Sequence, residues 1–183
     1  MNPDNKEISQ IIKRCCKGDN DAKFKLYNLY VKQMYNTAIR FFNNQMIAED
    51  IVQESFIAAF DNIKKFKGDS NFGAWLKRIV INKSITEIRK NRLQFEELTD
   101  SISNTFLDDN IESEITVKQI HDAVKELPIS ARTIVNLYIF ENYKHKEIAQ
   151  MLDITESTSK TQYKRAKQIL FNILKPAYYG TEV

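Results

Sequence analysis

Between Glu147 and Ala166 the apolar residues fall where two helices crossing at a tight bend need them. Ile148, Leu152 and Ile154 are apolar, and Ala149 is small where the second helix would cross the first. Beyond the Asp153-Ile154-Thr155 bend, Ser159, Tyr163, Ala166, Leu170 and Ile173 recur at helical spacing and mark an inward stripe. The opposite face carries Ser157, Lys160, Thr161, Lys164, Arg165 and Gln168. A helix lying in a DNA groove needs such a face: cations for phosphate, short hydroxyls and amides for base edges. A basic face alone is equally the solvated side of an αα-hairpin. The fixed offsets of Ile148, Ala149, Leu152 and Ile154 select a helix-turn-helix. Two residues depart from its usual pattern. Asp153 stands where the turn normally has Gly, a position Asp tolerates better than most residues. Ser159 stands where the second helix normally buries a Val or Ile; it can bond a carbonyl one turn back, but it should weaken the local core.

The rest of the chain sets bounds on what surrounds this motif. Its 183 residues can hold one large or two small domains, and 43% apolar residues suffice for packed cores. Only four Gly and three Pro leave long helices unbroken. No apolar run is long enough to span a bilayer and residues 1–10 carry no secretory signal, so a cytoplasmic protein is expected. Cys15 and Cys16 are adjacent, and a disulfide between them would be strained, so reduced thiols are expected. His121 and His145 lie far apart in sequence and no Cys-x-x-Cys occurs, so neither a metal site nor a cofactor is expected, and both His read as surface residues. Net charge is +3, but Leu93–Val117 holds seven acids and no base, leaving 17 acids against all 27 bases elsewhere. Two basic lobes joined by an acidic strap suit a nucleic-acid partner.

Taken in order, Ile8, Ile11, Ile12 and Cys15 predict a short amphipathic helix ended by Gly18, and Asp19, Asn20 or Asp21 can cap the next. That long helix shows a stripe of Tyr27, Tyr30, Val31, Met34, Ala38, Phe41 and Phe42 and closes at Asn43-Asn44. A third helix over Ala48–Lys64 turns Val52, Phe56, Phe60 and Ile63 inward, with Asp50, Gln53, Glu54 and Asp61 on another face. The helix dipole can account for Glu49 and Asp50 but does not reach Glu54, which leaves room for a partner-binding acidic face. Phe66–Asn71 is turn-rich, with Ser70 or Asn71 as cap of a fourth helix over Phe72–Asn91. Phe72, Trp75, Leu76, Ile79 and Val80 form its apolar side; Arg78, Asn82 and Arg89 share a stripe opposite, with Lys83 beside them. That stripe reads either as a solvated face or, with the aromatic and polar loop before it, as a seat for an unpaired base.

Leu93–Asn110 loses periodicity and reads as a linker, with a domain on either side. The expected division is an N-terminal helical domain over 1–92, an acidic linker over 93–112 and a C-terminal helix-turn-helix domain over 113–183. The second domain should open with a helix over Ile111–Glu126, with Val117, Ile120 and Val124 inward, stopped by Leu127-Pro128. Ser130 can cap the next, through Glu141, with Ile134, Leu137 and Tyr138 packing and Asn142 ending it. No strand-like alternation occurs, so the fold class is all-α.

Ala48-Glu-Asp-Ile-Val-Gln-Glu-Ser-Phe56, Phe66-Lys-Gly-Asp-Ser70, Phe72-Gly-Ala-Trp-Leu-Lys-Arg-Ile79 with Asn82, Leu127-Pro128 with Arg132, and then Glu147–Ala166 resemble, in order and spacing, an extracytoplasmic-function sigma factor. The resemblance covers about residues 8–174; Lys144 departs from it where a capping Ser is common. It implies a dissociable specificity subunit of bacterial RNA polymerase. Asp50, Gln53 and Glu54 would meet the clamp coiled coil of the largest subunit. Phe66, Asp69, Ser70, Asn71, Arg78, Asn82, Lys83 and Arg89 would read and open the minus-ten element. Ser157, Lys160, Thr161, Lys164 and Arg165 would read the minus-thirty-five element, with the flap of the second large subunit nearby. The acidic linker would thread toward the active-site and RNA-exit channel, or serve as a solvated tether. An anti-sigma factor is a further implied partner. Melting a promoter costs roughly 1.4 kcal/mol of stacking per base-pair step, which a trapped base and neutralised phosphates can offset in part. With no nucleophile, acid-base pair or phosphate-binding loop in the sequence, no catalysis by this chain is expected. The rival reading is a stand-alone, dimeric helix-turn-helix regulator that binds duplex tightly without polymerase.

Overall fold

The computed structural model describes residues 5–68, 71–90 and 116–179, and among them every regular element is a helix. Asp69, Ser70 and the expected linker lie outside the described residues. The chain divides into two compact units, Met1–Ile88 and Arg89–Val183.

The N-terminal unit is built from α1 (Asn5–Cys16), α2 (Asn20–Phe42), α3 (Gln45–Asp61), a 3-10 turn (Ile63–Lys65) and α4 (Phe72–Lys90). Each junction follows from a short polar residue at a helix end. Gly18 leaves α1 at φ 88°, and of the three capping candidates Asp19 is used, its carboxylate accepting from the Ala22 N–H at 3.0 Å. That bond and the Arg14 guanidinium hold the Asp19 carboxyl below its ordinary pKa. Asn43 turns left-handed at φ 49° to stop α2, and Asn44 caps α3 by accepting from Ile47 N–H. The third helix therefore starts at Gln45, a turn earlier than its apolar stripe predicts, because the cap and not the stripe sets the start.

Leu26, Met34, Phe41, Leu76 and Val80 are fully enclosed in this unit, with Val52, Phe56 and Phe72 close to it. Side chains of that size contribute about 1.5–3 kcal/mol each on burial. Of the expected α2 stripe, Tyr30, Met34, Ala38 and Phe41 face in, joined by Leu26, while Tyr27, Val31 and Phe42 are half-buried at its edge. Phe60 and Trp75 likewise sit at the core margin.

The C-terminal unit comprises α5 (Val117–Glu126), α6 (Ile129–Val135) continued by a π turn (Asn136–Phe140), α7 (His145–Leu152) and α8 (Glu156–Tyr179). Thr116 caps α5, with Gln119 reaching back to the Thr116 N–H at 2.8 Å. Two expectations are corrected here. Val117 (71% exposed) and Ile120 (39%) do not point inward; the buried residues of this segment are Ala123, Val124 and Leu127 near its end. Nor does Ser130 cap α6. Pro128 occupies the cap position, and Ser130 is buried in the first turn. The Leu127-Pro128…Arg132 pattern has a structural cause: the Arg132 guanidinium donates to the carbonyls of Lys125 and Leu127 at 2.6 and 2.7 Å, satisfying the end of α5. Val124, Leu127, Ala131, Val135 and Ala166 form the core of this unit, and Asn142 ends the third segment at φ 59°.

Candidate nucleic-acid interface

The helix-turn-helix forms as its spacing predicts. Ile148 is fully enclosed and Ala149 and Leu152 nearly so, and Asp153 takes the left-handed conformation at φ 57° that the turn requires. Its successor Ile154 donates to the Ala149 carbonyl at 3.0 Å, closing α7. Lys144, in place of a capping Ser, still gains a partner: its N–H donates to the Glu147 carboxylate at 2.8 Å. Thr155 caps α8 by accepting from Thr158 N–H at 3.0 Å.

Along α8, Ser157, Lys160, Thr161 and Lys164 are exposed; Arg165 and Gln168 are half-buried. Lys160 is held by Glu156 one turn back at 2.7 Å, which keeps the Glu156 carboxyl below its ordinary pKa. The inward stripe contains Ser159 and Ala166, both fully enclosed. Ser159 meets its polar need across the motif: its Oγ lies 3.0 Å from His145 Nδ1 at the start of α7. Tyr138 stacks on His145 at 4.5 Å and leans on Tyr163 at 4.6 Å. His145 is therefore a packed residue of the motif and not a surface one. Burial, and then the Lys160 charge, push its pKa below the ordinary imidazole value. His121 is likewise stacked, on Phe140 at 5.3 Å.

Arg78, Asn82 and Arg89 are exposed on one stripe of α4, with Lys83 half-buried beside them. Lys83 is not presented alone: its ammonium lies 2.8 Å from the Glu54 carboxylate on α3. A residue expected to face phosphate and one expected to face polymerase thus hold each other across two helices. Phe66, the first residue of the expected loop, is half-buried, edge-on to Phe72 at 5.5 Å and against Trp75 at 5.5 Å. It anchors the loop rather than standing out from it. Asn71 caps α4, its side-chain oxygen accepting from Gly73 N–H at 2.7 Å.

Asp50, Gln53 and Glu54 are exposed on α3. Met46 (73% exposed) and Ile57 (62%) share the Asp50–Gln53 stripe at four- and seven-residue steps. Reading the acids alone missed them, although their spacing places two large apolar residues on an acidic face.

Residues 26–94 match the family model described as Sigma-70 region 2, and residues 118–170 match Sigma-70, region 4. The chain is 31% identical over 177 residues to the ECF RNA polymerase sigma factor SigW of Bacillus subtilis, covering 89% of this chain and 94% of that protein. It is 27% identical to the RNA polymerase sigma-H factor of Pseudomonas aeruginosa, covering 91% and 93%. Among solved structures, the sigma factor RpoE of Bartonella quintana, in complex with the anti-sigma factor NepR, shares the fold at a TM-score of 0.51 and 22% identity, covering 82% of this chain and 95% of that one. A stand-alone regulator gives no reason for a region 2 unit ahead of the helix-turn-helix, and that reading is set aside. With one unit matching each conserved region and a relative above 30% identity over nearly its whole length, the chain belongs to the extracytoplasmic-function sigma factors of bacterial RNA polymerase.

Proposed function

We propose that this sigma factor divides its work between the two units by the faces described above. The α3 stripe of Asp50, Gln53 and Glu54, extended by Met46 and Ile57, binds the clamp coiled coil of the largest subunit. The Phe66–Asn71 loop with Arg78, Asn82, Lys83 and Arg89 of α4 reads and opens the minus-ten element. Ser157, Lys160, Thr161, Lys164 and Arg165 read the minus-thirty-five element as duplex, near the flap of the second large subunit. The domain limits 1–92 and 113–183, with an acidic tether over 93–112, belong to the same proposal, as do action in the cytoplasm, an anti-sigma partner and the absence of chemistry of its own. The observation that carries it is the acidic-apolar stripe on α3, exposed along three turns in a unit that matches region 2. Such a mixed stripe suits a basic partner with apolar side chains.

Capture of core polymerase tests the assignment. Asp50→Lys with Glu54→Lys should abolish capture while the far-UV helical signal stays intact. Because Glu54 also holds Lys83, Asp50→Lys alone is the cleaner arm and should weaken capture by itself. Unchanged affinity in a folded double variant would reject the assignment.

A further inference from the structure

The loop proposed to read the minus-ten element ends at Asn71, and α4 begins at once with Phe72-Gly73. Gly73 is buried and has an ordinary helical backbone, so conformational freedom does not account for it. Space does. A Cβ at this position would lie 2.8 Å from Tyr30 Cε1, 3.3 Å from Tyr30 Cδ1 and 3.2 Å from the Asn71 side-chain oxygen. Carbon pairs attract at about 3.5–4.0 Å and repel steeply below that distance.

Neither neighbour is at liberty to yield. Tyr30 is 9% exposed in the middle of α2, tilted against Phe72 with ring centroids 5.3 Å apart. Phe72 is in turn edge-on to Phe66, at the other end of the loop. The Asn71 oxygen is committed to the Gly73 N–H, and the Asn71 backbone carbonyl accepts from Ala74 and Trp75 N–H at 3.0 and 3.1 Å. Phe66 is therefore held by ring contacts to Phe72, and Asn71 by its cap to the first turn of α4, and the missing Cβ lets Tyr30 close on that turn.

We propose that Gly73 is a positioning residue for promoter opening: by letting Tyr30 lie against the first turn of α4 beneath the Asn71 cap, it fixes where the loop leaves the helix. Asn71 then acts through the cap, its oxygen aimed at the backbone and not at a base. This rests on the minus-ten reading of the loop. A methyl group at position 73 must displace the Tyr30 ring or lift the first turn, and in either case the loop moves while the α3 face, on another helix, does not.

The test uses the full chain with core polymerase on a promoter fragment and reads permanganate-reactive thymines beside affinity for core. Gly73→Ala should reduce opening roughly tenfold, because overpacking a filled site forces side-chain and backbone shifts, with core affinity kept. Gly73→Ala with Tyr30→Leu, measured against Tyr30→Leu alone, should recover most of the loss, because the ring carbons that clash are gone. Asn71→Ala should lose more opening than Asn71→Ser, which can still cap. Asn82→Ala checks the underlying reading. Full opening by Gly73→Ala with Asn82→Ala deficient overturns the positioning role and leaves the reading standing; full opening by both overturns both. Equal loss of opening and of core affinity in Gly73→Ala, with no recovery in the double variant, would make Gly73 a general stability residue and reject the proposal.

Discussion

Helix α8 presents its candidate DNA contacts from inside a regular helix, whereas the N-terminal unit presents them from a loop and the stripe of the helix that follows. The difference suits the two forms of DNA. Duplex offers base edges in a groove wide enough for a helix, so a periodic face such as Ser157, Lys160, Thr161 and Lys164 can read it. An unpaired base has to be surrounded, which a straight helix cannot do; the candidate minus-ten residues accordingly flank a loop, with Phe66 packed on Phe72 at one end and Asn71 capping α4 at the other. The cores differ in the same sense. The N-terminal unit is tied by aromatic contacts among Tyr30, Phe66, Phe72 and Trp75, whereas the helix-turn-helix holds a polar pair, the enclosed Ser159 with the half-buried His145.

The largest effects are expected from emptying one core at a time. Leu76→Ala and Ile134→Ala each remove a fully enclosed side chain, and each should cost about 2–5 kcal/mol. Trp75, the one Trp in the sequence, reports the N-terminal unit. Its fluorescence midpoint in denaturant should fall in Leu76→Ala and hold in Ile134→Ala, while far-UV signal moves in both. A Trp75 midpoint that falls equally in both variants would mean that the units do not have separate cores.

A smaller effect sharpens the division of labour within α8. Lys160→Ala should cost ~1–3 kcal/mol at the preferred minus-thirty-five sequence and relax preference at one position. Lys164→Ala should weaken all sequences alike and flatten the salt slope by about one unit. The Glu156–Lys160 ion pair does not alter this ranking, since both groups are exposed and solvent screens the pair. An altered sequence preference in Lys164→Ala with none in Lys160→Ala would reverse the assignment of faces.

The smallest expected effect is pH-dependent and belongs to the C-terminal unit. Burial, and then Lys160, hold the folded His145 pKa below its unfolded value, so the unfolded chain binds the proton more readily. The contribution of His145 is fully present above the unfolded pKa of about 6.5 and is lost as pH falls from there toward the folded pKa. Denaturation midpoints of the C-terminal unit should therefore drop on acidification through that window, and His145→Gln should flatten the dependence. The same slope in His145→Gln would place the proton elsewhere.

Most of the fold was legible because the cues were periodic or chemically direct. The stripe of Ile148, Leu152 and Ala166 and the punctuation by Gly18, Asn43 and Asn142 each report a local cause. What failed was of another kind. Val117 and Ile120 have the right spacing for a buried face, but periodicity says which side of a helix is apolar and not how far along the helix its neighbours extend. Ser130 looked like a cap because its hydroxyl suits one, yet Pro128 already ends α5 and sets the start of α6 two residues earlier. His145–Ser159 and Glu54–Lys83 join residues 14 and 29 positions apart, and no single-sequence rule pairs them. Read alone, each of these four residues had a plausible solitary role.

On the proposed division of labour, the two candidate DNA-facing surfaces are ineffective until polymerase fixes the distance between them. Each presents few cations, and phosphate contacts add little at cellular salt when they are few. The proposed tether over 93–112 would give the second surface only a modest effective concentration once the first is bound. The direct measurement is a promoter fragment probed for binding and for permanganate-reactive thymines with the chain alone, core polymerase alone and both together. The expected result is weak, barely selective duplex binding by the chain alone, with specific binding and reactive thymines only in the mixture. Tight, sequence-specific binding by the chain alone, with no reactive thymines when core polymerase is added, would contradict it.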